Sequence, residues 1–129
     1  MTTSHLQYEY AVHANSSATK VAQLVGFGLR VLELGSGPGM ITQLLASQQC
    51  KVTAIERDVK AAQAVQPYCE TVCILDLNDP GWVKEFDRVE KFNVVVAGDV
   101  LEHLLDPWVV ALQCQALLAD EGAIVLSLP

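Results

Sequence analysis

The chain has 129 residues, of which 51% are hydrophobic and 18% are charged, and its formal net charge at pH 7 is −7. This length and composition are typical of a single globular domain and exclude a disordered chain. The negative charge argues against a protein that binds nucleic-acid phosphates along its surface, because such proteins carry basic patches.

Signals for export, membrane insertion and metal binding are missing from the sequence. No apolar run approaches the roughly 20 residues that a membrane-spanning helix needs, and residues 1–10 are polar, unlike the start of a secreted protein. The four cysteines, at positions 50, 69, 73 and 114, are too scattered to hold a metal ion. We therefore expect a cytoplasmic protein with free thiols, no metal site and no membrane partner.

The predicted elements begin after a polar tract, residues 1–14, and we expect the folded domain to cover residues 15–129. Residues 15–17 have the Asn-Ser-Ser sequence of a helix cap, and Gly26 ends the helix that follows. Residues 31–34 form a short apolar run that is typical of a buried strand.

Glycine occupies every second position after this strand, at Gly35, Gly37 and Gly39, before an apolar pattern at helical spacing begins. Glycines in a strand-to-helix turn permit positive φ and let a ligand approach the backbone. The spacing excludes the dinucleotide fingerprint G-x-G-x-x-G, whose third glycine would have to lie at Met40 or Thr42. No Lys-Ser/Thr pair follows the turn, which also excludes a phosphate-binding P-loop.

Strands and helices alternate along the rest of the chain. Four further strands are predicted over residues 51–56, 71–75, 92–97 and 123–128. Asp58 can cap a helix that Pro67 stops, and residues 82–86 form a short helical segment. Asp106 can cap a last helix over residues 107–119. That helix is expected to bury a face formed by Val109, Leu112, Ala116 and Leu117. The alternation predicts an α/β fold with a parallel sheet and helices on both faces.

The E-x-G-x-G-x-G turn from Glu33 to Gly39 resembles the first motif of the class I S-adenosylmethionine-dependent methyltransferases. Four later segments resemble the strand ends of that family in the same order, at residues 52–56, 74–76, 92–103 and 123–128. The resemblance covers residues 30–129, which correspond to the N-terminal, cofactor-binding part of such a domain. It implies a Rossmann-like, doubly wound parallel sheet of five strands in order 3-2-1-4-5, truncated before the last two strands.

In such a sheet, ligands bind at the carboxyl ends of the strands, where the strand order reverses between strands one and four. The resemblance places S-adenosyl-L-methionine there, with S-adenosyl-L-homocysteine as the product. The residues that it assigns to cofactor binding are Glu33, Gly35, Ser36, Gly37, Gly39, Glu56, Arg57, Asp76, Leu77, Gly98 and Asp99.

The resemblance gives the acidic residues separate roles. Glu56 would accept both ribose hydroxyls, since a carboxylate offers two acceptor oxygens, and as a surface acid it is expected to matter little for folding. Asp76 would accept from the adenine amine beside Leu77, although its surroundings are also typical of an ordinary turn. Glu33 would face the ligand's ammonium group or, alternatively, order the glycine turn.

His103 and Asp99 are the candidate catalytic residues, because either could take a proton from an acceptor hydroxyl. His103 is alternatively a structural histidine, and His5 and His13 lie in the N-terminal tract. The predicted function is methyl transfer from S-adenosylmethionine to a small-molecule or glycan acceptor. The alternative is a cofactor-binding module without independent catalysis, since the resemblance places the usual acceptor contacts after strand five. An uncovered sheet edge would also permit a homodimer.

Overall fold

The computed structural model describes residues 17–127. Outside this range lie His5, His13, the predicted domain boundary between residues 14 and 15, and the predicted end of strand five. The fold is a five-stranded sheet in which all neighbouring strands are parallel. Its order is β3-β2-β1-β4-β5, which confirms the predicted order. The strands are β1 (Arg30–Leu34), β2 (Lys51–Ile55), β3 (Thr71–Cys73), β4 (Phe92–Gly98) and β5 (Leu118–Ser127).

The described residues also form four α-helices, of which α1 precedes β1, and three short 3-10 helices. The described part of α1 covers residues 17–25. The other α-helices are α2 (Met40–Ser47), α3 (Val59–Val65) and α4 (Pro107–Ala116), and the 3-10 helices are Gln66–Tyr68, Pro80–Phe86 and Leu101–His103. Asp58 caps α3 by accepting from Ala61 N, and Asp106 caps α4 by accepting from Val109 N, so both predicted caps are confirmed.

Each face of the sheet carries its own hydrophobic core, as expected for a doubly wound fold. On one face, Val21 and Val25 of α1 and Leu45 of α2 pack with Val31 and Val94. The core on the other face includes Trp82 and Phe86, Val110 and Cys114 of α4, and Leu32 and Val95. Because both faces of β1 and β4 are covered, their carboxyl ends are held rigidly at one edge of the sheet.

The predicted buried face of α4 is wrong at Val109, Leu112 and Ala116 and correct at Leu117. Val110, Cys114 and Leu117 are buried, whereas Val109 and Leu112 are 42% and 50% exposed. The helix ends at Ala116, which is exposed, and not at residue 119. Its sequence is apolar on nearly all sides, so the spacing of apolar residues does not decide which side meets the sheet.

Two predicted strand boundaries also need correction. β3 ends at Cys73, two residues before the predicted end. β5 begins at Leu118 and not at residue 123, because Leu118 already pairs with Phe92. The next pair is Val94 with Ala123, so β5 uses five steps where β4 uses two. The extra residues include Glu121, whose φ is 63°. In the sequence these residues look like a turn, and the start of β5 is therefore predicted too late.

The glycine turn after β1 has the backbone that its sequence predicts. Gly35, Gly37 and Gly39 all have positive φ, at 68°, 52° and 87°. A Cβ added to Gly35 would lie 2.7 Å from Cγ2 of Val100, which follows β4. Only glycine therefore lets the turn after β1 approach the segment after β4 so closely.

Candidate functional site

Two cavities meet at the carboxyl ends of the strands. The glycine-turn cavity, of about 430 Å3, is lined by Glu33, residues 35–38 and Gly98 among others. The strand-end cavity, of about 200 Å3, is lined by Arg57, residues 75–78 and His103 among others. Both are lined by Gly35, Glu56, Asp99 and Val100. Gly35 and Asp99 thus border a common space at the point where the strand order reverses.

The structure brings all the predicted cofactor residues except Gly39 to these cavities. The Gly39 N–H instead donates to Ser36 O at 3.0 Å and closes the glycine turn. A Cβ at Gly39 would lie 2.9 Å from Cγ1 of Val65 in α3. Gly39 therefore shapes the turn without lining either cavity.

Glu56 holds the glycine turn in place from the end of β2. Its Oε1 accepts from the Gly37 N–H at 2.9 Å and from the Ser36 hydroxyl at 3.4 Å. Its Oε2 accepts from the Asp58 N–H at 3.0 Å. The expectation that Glu56 matters little for folding is therefore wrong, because its carboxylate satisfies two backbone donors.

Glu33 is the buried acid of the glycine-turn cavity, with a relative exposure of 2%. The hydroxyl of Thr42 in α2 donates to its Oε1. Burial raises the pKa of Glu33 from 4.5 to about 7, the Thr42 hydrogen bond opposes this rise, and the charge of Glu56 adds to it. The Gly37 N–H of the glycine turn donates to Glu56 and not to Glu33, and Glu33 is among the residues that line the glycine-turn cavity.

Asp76 and Leu77 form one wall of the strand-end cavity. Asp76 Oδ1 accepts from Asn78 N at 2.9 Å, so the turn geometry that its sequence favours is present. Asp76 is exposed at the cavity wall, whereas Leu77 is only 8% exposed and packs into the core. Arg57 also lines this cavity and is exposed.

Asp99 lies where the two cavities join. It is a non-glycine residue with a φ of 55°, a left-handed conformation that often marks functional positions. Its N–H donates to Ser127 O at 3.0 Å, and its Oδ1 accepts from the Ser127 hydroxyl at 3.3 Å. A Cβ at the neighbouring Gly98 would lie 2.6 Å from Ile41 Cδ1, so glycine is needed there for close packing.

His103 lines the strand-end cavity but not the glycine-turn cavity. Its side chain is 77% exposed, and Nε2 lies 3.7 Å from Glu102 Oε2. Asp99 and His103, the two candidate catalytic residues, therefore both line the strand-end cavity, and Asp99 also lines the glycine-turn cavity.

Two negative findings apply to the part of the chain that the structure describes. Residues 17–127 contain no group of three or more His, Cys, Asp and Glu side chains arranged to hold a metal ion. Within the same range, every helix is too short or too polar to cross a membrane.

A sequence profile described as a methyltransferase domain matches residues 6–129. The chain belongs to this methyltransferase family. The resemblance to the class I S-adenosylmethionine-dependent methyltransferases is thereby confirmed. From here on we refer to the chain as the methyltransferase domain.

Curated relatives include two ubiquinone biosynthesis O-methyltransferases. The protein from Glaesserella parasuis serovar 5 is 26% identical over 107 residues, which cover 78% of this chain and 45% of the relative. The protein from Haemophilus ducreyi is 30% identical over 112 residues, with the same two coverages of 78% and 45%. The methyltransferase domain thus spans less than half the length of these relatives.

Solved structures of similar fold include two N-methyltransferases. The glycopeptide N-methyltransferase MtfA complexed with sinefungin has a TM-score of 0.69 at 22% identity, covering 87% of this chain and 48% of that chain. NodS from Bradyrhizobium japonicum WM9 in complex with S-adenosyl-L-homocysteine has a TM-score of 0.70 at 20% identity, with coverages of 88% and 59%. These likenesses support the Rossmann-like fold.

Sequence reasoning missed Thr42, Asn78 and Ser127, although each carries a signal. Thr42 is a polar residue on the predicted helix between apolar positions, where only a buried partner explains it. Asn78 belongs to a run of turn residues, and Ser127 to a predicted strand end. Their partners are distant in sequence, so only the fold reveals them.

Asn78 connects the two walls of the strand-end cavity. Its Oδ1 accepts from the Leu105 N–H at 2.9 Å, across 27 residues. Leu105 follows the 3-10 helix that carries His103, and Asn78 and Leu104 both line the cavity. This hydrogen bond therefore fixes the distance between the wall after β3 and the segment after β4.

We expect Asn78→Ala to widen the strand-end cavity and to weaken the binding of 5′-methylthioadenosine about fivefold, because the hydrogen bond contributes about 1 kcal/mol. Asn78→Asp keeps an acceptor oxygen and should retain most of the affinity. Isothermal titration of the three proteins measures the difference. Equal affinities in all three would show that the bond does not shape the cavity.

Proposed function

We propose that the methyltransferase domain binds S-adenosylmethionine across the two joined cavities and serves methyl transfer to a small-molecule or glycan acceptor. The observation that carries this proposal is the placement of Glu33, Glu56 and Asp76 around a glycine turn at the reversal of the strand order. The names of the relatives add support, since they are methyltransferases of ubiquinone biosynthesis.

The glycine-turn cavity fits the amino-acid portion of this ligand. The Thr42 hydroxyl donates a hydrogen bond to Oε1 of Glu33, and no residue among 17–127 donates to Oε2. A buried carboxyl oxygen without a partner is costly, and an ammonium group can donate to it. A Cβ at Gly37 would have no atom within 4 Å, so a ligand can approach the backbone there.

The strand-end cavity fits the nucleoside portion. Oε2 of Glu56 accepts one hydrogen bond from Asp58 N and has capacity for a ribose hydroxyl. Asp76 uses Oδ1 for Asn78 N, which leaves Oδ2 for the exocyclic amine of the adenine ring. Leu77 and Ile55 supply an apolar wall for that ring.

The residues of this chain contribute mainly by positioning. When bound, S-adenosylmethionine supplies a methyl group that its sulfonium has already activated. The glycine turn and the strand-end acids hold the ligand, and orientation of this kind is a large part of the catalysis of group transfer. The carboxylate of Asp99, at the junction of the cavities, is placed to accept a proton or a hydrogen bond from an oxygen or nitrogen acceptor. His103 is the less favoured base, since it borders the strand-end cavity alone.

A cofactor-binding module without independent catalysis is the second candidate function. The homodimer through the outer sheet edge and the cytoplasmic location both stay predictions. β5 is one of the two outer strands of the described sheet, the other being β3, and its Leu126 is 47% exposed.

Isothermal titration tests the proposed ligand directly. We expect S-adenosylmethionine and S-adenosylhomocysteine to bind and NAD not to bind, because the glycine spacing does not suit a pyrophosphate. Binding of NAD without any response to the methionine ligands would refute the proposal. Incubation with a labelled methyl donor and candidate acceptors then separates transfer from simple binding.

A further inference from the structure

The outer face of α4 carries a row of exposed apolar side chains, which we call the α4 stripe: Leu105, Trp108, Val109 and Leu112. Their spacing of three and four residues places them on one side of the helix and of the turn that leads into it. Leu105 is 86% exposed and Trp108 is 71% exposed, while the other two side chains are about half exposed. Single exposed apolar residues are ordinary on protein surfaces, whereas a row of neighbouring ones marks an interaction site.

An apolar cavity lies beside the α4 stripe, between α4 and β5. Its volume is about 140 Å3, and the residues that line it include Ala111 of α4 and Leu126 of β5. Ala111 lies three residues after Trp108 and directly before Leu112, so the cavity adjoins the stripe. An apolar cavity of about 150 Å3 can hold a benzene ring. The aromatic ring of one partner side chain therefore fits this space.

The charged residues of the elements that form this surface have one sign. Residues 92–127, which include β4, α4 and β5, contain no lysine or arginine. One basic side chain from outside this range contacts α4, where Lys91 Nζ donates to Ala116 O at the C-terminal end of the helix. The acidic residues within the range are Asp99, Glu102, Asp106, Asp120 and Glu121. An apolar surface in acidic surroundings is complementary to apolar residues flanked by lysine or arginine.

We propose that the α4 stripe and the adjoining cavity form a docking site for a basic amphipathic helix of a partner protein. In this arrangement the apolar face of that helix covers Trp108 and Leu112, and one of its apolar side chains enters the cavity. Its basic residues face the acids, among them Asp106, which caps α4 between Leu105 and Trp108. Amphipathic helices bind apolar surfaces in this way through anchors at positions i, i+3, i+4 and i+7.

The charges disfavour two other occupants of this surface. A second copy placed on the α4 stripe about a twofold axis brings the same acids of both copies together, and facing like charges oppose association. The same acids are repelled by the anionic lipids of a membrane surface. A second copy and a lipid surface are therefore the alternatives that the experiment has to separate from a basic helix.

Fluorescence titration with synthetic peptides measures the binding, because Trp108 is exposed and the second tryptophan of the chain, Trp82, is only 2% exposed. The probe is a peptide of about 18 residues, long enough to form a helix, with leucine and lysine at helical spacing and one phenylalanine on the apolar face. We expect the Trp108 emission to move to shorter wavelength with this peptide. A scrambled peptide of the same composition, and one with glutamate in place of lysine, should leave the emission unchanged. Replacement of the phenylalanine by alanine should weaken binding about tenfold, since the cavity then stays empty.

Exposed-site variants locate the binding on the α4 stripe. Leu112→Gln removes one apolar contact without changing the charge, and it should weaken binding of the probe peptide about fivefold. Leu24→Gln is the matched control, because Leu24 is 73% exposed on α1, outside the stripe, and the affinity should stay unchanged. Asp106→Asn keeps a side chain that can cap α4 and removes one charge, so it should weaken binding about two- to fivefold at low salt.

Several outcomes would overturn the inference. These are no binding of the probe peptide, equal binding of the scrambled peptide, and equal affinities in Leu112→Gln and the parent. A dimer in sedimentation velocity that Leu112→Gln dissociates would assign the stripe to a second copy. A shift of the Trp108 emission with phosphatidylcholine vesicles and not with the peptide would assign it to a lipid surface. The proposed function is tested separately, because the docking site shares no residue with the glycine-turn and strand-end cavities.

Discussion

Replacement of Glu56 by alanine is expected to weaken the binding of S-adenosylmethionine by roughly 10- to 150-fold, because a hydrogen bond from a ribose hydroxyl to its carboxylate contributes about 1.5–3 kcal/mol. The geometry adds a second reason. Glu56 Oε1 accepts from the N–H of Gly37 at 2.9 Å, so its loss also releases the glycine turn that the ligand contacts. Isothermal titration of parent and variant measures the change.

The same substitution should lower the free energy of unfolding by about 1–2 kcal/mol, since it leaves two backbone donors to find water. Asp58→Ala is the matched control. It removes the cap of α3, where Asp58 Oδ2 accepts from Ala61 N at 3.3 Å, and costs about 1 kcal/mol of stability. Asp58 lines neither cavity, so its loss should leave affinity unchanged. Equal affinity in Glu56→Ala and the parent would remove Glu56 from the binding site.

The sequence was sufficient to predict the parallel sheet and which strand ends lie together, whereas the order of the strands was implied by the family resemblance. β1 and β4 are apolar runs buried on both faces, and such runs are predicted reliably. Their carboxyl ends then carry Gly35 and Asp99 to one place, because parallel strands share one edge for their ends. Residues at the ends of parallel strands can therefore be located without knowledge of how the side chains pack.

Features that depend on packing between distant elements could not be predicted. The buried face of α4 is decided by contacts of Val110 and Cys114 with the core around Val95, and the apolar residues of this helix are spread over nearly all of its sides. The bond between Asn78 and Leu105 joins positions 27 residues apart. A polar side chain in a turn has many candidate partners, and only the folded chain selects one.

Glu33 combines a structural cost with a proposed binding role. A buried acid without a cation destabilises the folded state when it ionises. Proteins retain such groups at functional sites, where a ligand compensates for the cost. If Glu33 serves only folding, a neutral side chain of the same shape would serve it better, and that comparison can be measured directly.

Glu33→Gln is expected to stabilise the methyltransferase domain above neutral pH, relative to the parent, by about 3 kcal/mol more than it does at pH 4.5. The pKa of Glu33 is about 7 in the folded protein against 4.5 for an unperturbed carboxyl, and this difference corresponds to about 3 kcal/mol. Between those values the folded state binds more protons than the unfolded state. The free energy of unfolding of the parent therefore falls as the pH rises from 4.5 to 7. Above that range the loss caused by Glu33 is complete and no longer changes with pH.

Chemical denaturation of both proteins at several pH values between 4.5 and 8.5 provides the measurement. The difference between the two curves cancels the contributions that the two proteins share. The amide oxygen that Glu33→Gln introduces can still accept from the Thr42 hydroxyl, as the carboxylate does. Any cost of the amide itself is therefore the same at every pH, and it moves the curve without changing its slope. The difference should rise through the window from pH 4.5 to 7 and then stay level. Parallel curves would mean that Glu33 titrates near its ordinary pKa in the folded protein, and that burial does not favour its protonated form.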